Sequence, residues 1–326
     1  MPLSTLIHHQ LAARAHRIKR TLGPVPRWLP PIVVEVYYRK ILLAYVDKLR
    51  EEFKRIVLPH LPRLIAQAES LKQDSAGLTM DAWSGDLDHA LQEFQKSGDS
   101  IFPTSQMLEL LTVVGNRVDV FNKEQWYKIC KAVLGVDIYT TEPVLASRME
   151  AFAHDNVTLI KDCTQDVYSG TRLVISNGIR AGERAETISD NILADTELTR
   201  GVFAKVETRA AFIARDQVSK LNGDIASYRQ QAAGVDEYTW SSVGDERVVG
   251  TPGGRFPNPS PGHGDHYKMD GAVCKWNNAN VYSIDNGATW IPRPANMKGA
   301  IPGSQYDCRC YAAPRLDKLM ESVIRE

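Results

Sequence analysis

Two cysteines, Cys308 and Cys310, sit one residue apart in the stretch PGSQYDCRCYAAP, residues 302–314. A thiolate is both a soft metal ligand and a nucleophile, so the pair raises metal, redox and catalytic chemistry together. His263, Asp265, His266 and Asp270 lie upstream, behind the run Asp245-Glu246-Arg247. Residues two apart on an extended strand project to one face, so both sulfurs can reach one ion. His263 and His266 can add nitrogen ligands, and a set of two cysteines and two histidines suits tetrahedral Zn²⁺. A loop-rich module with a thin core gains from a structural metal. CxC is not the common zinc-knuckle spacing, so two packed thiols with the histidines on a loop stand as the competing reading. A disulfide within CxC would close a very small, strained ring.

Catalysis is less well specified. Cys308, His266 and Asp270 supply the residue types of a nucleophile, a base and its orienter. Asp245, Glu246 and His266 supply those of a metal-dependent nuclease. Nothing in the spacing selects either, and no GxSxG, P-loop, HExxH or GxGxxG motif occurs in a suitable context. The expectation is therefore that the chain is not an enzyme. The plain reading of GDERV is an ion-paired strand end.

The elements that must position these residues change style near residue 235. Residues 31–82 read as a long-helix region for partner contact, starting near Pro31 or Ile32 because proline suits a first helical turn. Residues 83–235 stay helical, and Cys130 and Cys163 fall in apolar stripes that mark core thiols. The segment from Ala146 reads as one or two helices stopped by Gly178 and Gly182. The clearest helix follows, with Val206, Ala210, Ile213, Ala214, Leu221, Ile225 and Tyr228 on one face and Gly234 as its stop. Gly223 inside it predicts a close contact or a local break. Residues 236–326 form a C-terminal module rich in proline, glycine and asparagine. DEYTWSSV reads as a strand, RFPNPSPGHGDHY as a loop, and RLDKLMESVIRE as a short helix. NVYSIDNGATWIP reads as a hairpin with a tight Asn286-Gly287 turn. The fold class is α+β: largely helical N-terminal and middle regions, then a small loop-rich β-containing module.

The 326 residues carry zero formal net charge, so no global pull toward nucleic acid or membrane is expected. Five cysteines in no framework spacing predict a reducing compartment. The amino end lacks the apolar core of a secretory signal. Glu35, Arg39 and Lys40 interrupt the most apolar stretch, which excludes a membrane span there. Residues 1–30 form a basic N-terminal arm. Its Arg14, Arg17, Lys19 and Arg20 are candidates for contact with acidic protein surfaces or, non-specifically, with DNA phosphates.

The order of the motifs adds a resemblance. RAAFIARDQVSKLNGDIASYRQQAAGVDEYTWSSVGDERV, then HYKMDG, then PGSQYDCRCYAAP resembles the Mu F-like minor head proteins of tailed bacteriophages, also called head morphogenesis proteins. The match runs through Arg209, Ile213, Arg215, Asp216, Gly234, Tyr238, Trp240, Asp245, Arg247, His266, Asp270, Gly271, Pro302, Gly303, Cys308, Cys310 and Pro314. The family's compact D.R.R..H run is interrupted here by VVGTPGGRFPNPSPGHGD, which leaves its second arginine without a counterpart. His266, which keeps the H..(L/M)DG context, is thereby a better ligand candidate than His263. The resemblance implies a low-copy protein of the head interior, present in the host cytoplasm during assembly. It implies association with the portal and other head proteins, and a role in DNA packaging or ejection. Two rival expectations remain: a metal-dependent nuclease or transferase in the C-terminal module, and a non-specific DNA-binding ejection protein.

Overall fold

A computed structural model describes residues 5, 7, 9–12, 26–73, 82–135, 145–194, 201–260 and 263–325. Arg14, Arg17, Lys19 and Arg20 of the basic arm lie outside the described residues. The chain is 67% helical with a small antiparallel five-stranded sheet in the C-terminal region, an α+β fold. The helices are α1 (Ile32–Ile56), α2 (Leu61–Gln73), α3 (Ala82–Ile101), α4 (Thr104–Val133), α5 (Ala146–Ala181), α6 (Ala185–Leu193) and α7 (Val202–Ala232). They are followed by β1 (Glu237–Ser241), the single turn α8 (His266–Met269), β2 (Val273–Lys275), β3 (Val281–Ser283), β4 (Ile291–Pro292), β5 (Tyr311–Pro314) and α9 (Leu316–Arg325).

Helix α1 starts at Ile32, directly after Pro31, as the proline punctuation predicts. The Ala146 segment forms one helix of 36 residues that runs through Gly178 and ends before Gly182. A mid-helix glycine costs only about 1 kcal/mol relative to alanine, and its bare backbone at 178 lets Ile188 of α6 pack close. Helix α7 ends where expected. Gly234 takes a φ of +81°, and Val235 N–H donates to the Gln230 carbonyl at 2.9 Å, which closes the helix with a left-handed cap.

The chain divides into two compact units, each discontinuous in sequence. The helical unit comprises residues 35–113 and 151–214. Its centre is aromatic: Phe53 meets Phe94 at 6.1 Å and Phe203 at 5.9 Å, and Phe94 meets Tyr168 edge-on at 4.9 Å. Buried polar pairs link its helices, Tyr38 donating to Asn156 Oδ1 at 2.9 Å and Tyr45 bonding Thr164 at 3.0 Å.

The second unit comprises residues 1–34, 114–150 and 215–326. Trp126, Ile129 and Cys130 of α4, Ala226 of α7 and Leu316, Leu319 and Met320 of α9 share one core. Arg229, 1% exposed, ties α7 to α4 by donating to Asp119 Oδ1 at 2.8 Å and Asn122 Oδ1 at 2.7 Å. The sheet has the order β4-β3-β2-β1-β5, with every neighbouring pair antiparallel. Along β1, Tyr238 and Trp240 alternate inward into a core shared with Met269, Cys274, Met297, Cys308 and Cys310.

Two sequence expectations need correction here. The β3–β4 pair has Tyr282 opposite Ile291, so residues 284–290 connect the strands and the turn is not a two-residue one. Asn286 and Gly287 do take positive φ values of 60° and 94°. Asp285 organises the longer loop, accepting from Ser283 Oγ at 2.6 Å and Thr289 N at 2.9 Å. These bonds favour its charged form and pull its pKa down to about 2. The second correction concerns Cys308 and Cys310, which precede β5 rather than lying on a strand. A turn in which Cys308 N–H donates to the Gln305 carbonyl, with Asp307 at a φ of 58°, delays strand pairing until Tyr311.

Candidate metal centre

Helix α7 sets the frame for the cysteine segment. A Cβ at Gly223 would lie 2.6 Å from the Pro302 carbonyl oxygen, so only glycine admits the Pro302-Gly303 turn this close. The predicted close contact is therefore real, and the helix is unbroken. Eight residues earlier in α7 begins the Arg215-Asp216 dipeptide. The Arg215 guanidinium pairs with the Asp307 carboxylate, and Asp216 Oδ1 accepts from Asp307 N at 3.0 Å. Asp216 is 2% exposed and is balanced by Lys220 at 2.7 Å. Burial pushes the Asp307 carboxyl up despite the guanidinium beside it. Together these contacts hold residues 302–307 and deliver Cys308 and Cys310 inward.

His266 arrives from the other direction. It opens α8, whose cap residue Asp265 accepts from Lys268 N at 2.9 Å. Asp270 ends that turn, and its Oδ1 accepts from Ser242 N at 2.7 Å, which ties the turn to the end of β1. The Trp240 ring meets the His266 ring edge-on at 5.6 Å.

These constraints bring His266, Cys308 and Cys310 into one buried cluster whose ligand atoms lie within 4.8 Å of one another. His266 Nδ1 is 3.2 Å from Cys310 Sγ and 3.3 Å from Cys308 Sγ. The other ring nitrogen, Nε2, is 2.5 Å from Gln305 Oε1. Burial opposes ionisation of Cys308, but hydrogen bonds from Cys310 and His266 carry its pKa well below the ordinary thiol range. Cys310, bonded to Cys308 and itself buried, is pushed well above that range. Burial disfavours charge on His266, yet its bonds to Cys308 and Gln305 outweigh this and raise its pKa. One nitrogen and two sulfurs thus converge on a common point. That donor set suits a soft or borderline metal ion.

The remaining candidates lie elsewhere. His263 is exposed; its ring faces Ser260 Oγ at 3.2 Å, and reciprocal backbone bonds between Ser260 and His263 hold it there, outside the cluster. Asp245, Glu246 and Arg247 occupy an exposed turn in which Asp245 Oδ1 accepts from Arg247 N at 3.0 Å. Among the described residues the expected ion pairing is not seen, and the Asp245 side chain caps its own turn instead. Asp245 and Glu246 are not grouped with His266 among the described residues. Asp270 serves Ser242, and the partner of His266 Nε2 is Gln305, so the nucleophile–base–orienter arrangement is not assembled. Cys130, Cys163 and Cys274 are buried thiols outside the cluster. Sequence reasoning missed Gln305 and Asp307. Their signal was position alone, inside PGSQYDCRC between the turn and the thiols.

No protein-family model matches the chain, and no solved structure matches it. The chain is 23% identical over 287 residues to an uncharacterized protein of Haemophilus influenzae. That alignment covers 87% of this chain and 53% of the relative, so the chain spans about half the length of the curated relative it matches.

Proposed function

We propose that this protein is a minor head protein of a tailed bacteriophage, acting in head morphogenesis in association with the portal and not as an enzyme. The observation that carries the reading is the meeting of its ordered motifs. Segments far apart in sequence, RD of α7, HYKMDG and PGSQYDCRC, converge on one another around His266, Cys308 and Cys310. A set of motifs that matters only as a set is what a single assembly module requires. Within it, Zn²⁺ held by His266 Nδ1, the two sulfurs and one further ligand is a structural clip for a module with short strands.

The early part of α1 supports a partner-binding role for the helical region. Ile32 and Val33, in the first turn of α1, are 49% and 75% exposed, apolar surface of the kind that docks in a partner's groove. Arg14, Arg17, Lys19 and Arg20 add a basic arm for portal acids or packaged DNA. The protein is expected in purified virions of its phage and in co-sediments with portal oligomers, with Val33→Asp weakening the second. Absence from both virions and portal sediments would overturn the assignment.

A further inference from the structure

Resting on the metal reading above, we infer that Gln305 is a positioning residue that decides which nitrogen of His266 is offered to the metal. An amide side chain can be turned either way, but two backbone groups define this one. Gly264 N–H donates to Gln305 Oε1 at 3.2 Å, and Gln305 Nε2 donates to the Asn296 carbonyl at 3.2 Å. A backbone N–H can only donate and a carbonyl can only accept, so the oxygen must face His266. His266 Nε2 therefore carries a proton and donates it to that oxygen. The nitrogen left for exchange with a metal is Nδ1, which faces both sulfurs at 3.2 and 3.3 Å. The turned-out edge of a ligand histidine is commonly held by an oxygen acceptor in this way, which fixes its tautomer and ring orientation. Here the acceptor comes from the same short segment as the sulfurs, so one loop supplies two ligands and orients the third.

The test uses the full chain. Zinc affinity is measured by competition with a chromophoric chelator for the wild type, Gln305→Leu and Gln305→Glu. Leucine cannot accept the proton, and its affinity is expected to fall about 10- to 100-fold. Glutamate keeps an acceptor while losing the donor to Asn296, and is expected to restore most of the loss. Equal affinity for the leucine variant and wild type would overturn the inference, as would equal loss in both variants, which would mark a role only in holding the loop. Independently, nitrogen NMR of metal-free wild type should show His266 protonated at Nε2, and a bare Nε2 with the proton on Nδ1 alone would overturn it. Wild type that binds no zinc would defeat the metal reading itself, and the NMR result would then decide the role of Gln305 alone.

Discussion

The helical unit and the C-terminal sheet region hold themselves together by different means. In the helical unit long amphipathic helices bury aromatic rings against one another, with Phe94 between Phe53 and Tyr168. The sheet region has strands of two to five residues and relies on specific polar contacts. Its buried Arg293 has no carboxylate partner among its described contacts; it donates to the Val281 carbonyl at 3.1 Å, the Ala300 carbonyl at 2.5 Å and Tyr238 Oη at 3.2 Å. The contrast teaches where each region is vulnerable. Apolar packing is distributed and fails gradually, whereas a directional clamp fails when one partner is lost.

The sharpest way to break the contrast is the double change Cys308→Ser/Cys310→Ser. Loss of bound zinc should be accompanied by loss of ordered structure in residues 236–326, read by hydrogen exchange, while residues 35–113 stay protected. Retention of a fully folded, metal-free wild type would remove the clip and leave two packed thiols. Phe94→Ala should act in the opposite place. Removing a fully buried phenyl from the helical unit is expected to cost about 3–5 kcal/mol in denaturant unfolding, with zinc content unchanged. Gly223→Ala drives a methyl into the Pro302 carbonyl and should cost about 1–3 kcal/mol, with the largest exchange increase in residues 302–310.

The smallest effect belongs to pH. The Asp285 pKa is lowered on folding to about 2, so its stabilising bonds are fully present above the ordinary carboxylate range and are lost as pH falls from about 4 through 2. A carboxyl titration by NMR should therefore show a midpoint near 2, with the 284–290 loop shifting in step. A midpoint near the ordinary value would show that the loop does not depend on those bonds.

What could be read from the sequence was whatever depends on near neighbours. Helix α7 and its stop at Gly234, the start of α1 after Pro31, the core placement of Cys130 and Cys163 and the strand at Tyr238 and Trp240 all follow from period, turn chemistry and side-chain polarity. The thiol pair declared itself by type and spacing, and HYKMDG favoured His266 over His263. Tertiary structure decided the rest. Cys308 and Cys310 converge through a turn rather than a strand because Arg215 and Asp216, some ninety residues earlier, hold Asp307. The tautomer of His266 rests on Gln305, whose orientation is dictated by the backbone at Gly264 and Asn296. Hydrogen-bond direction between groups distant along the chain leaves no periodic trace in the residues themselves, so only the folded arrangement could reveal it.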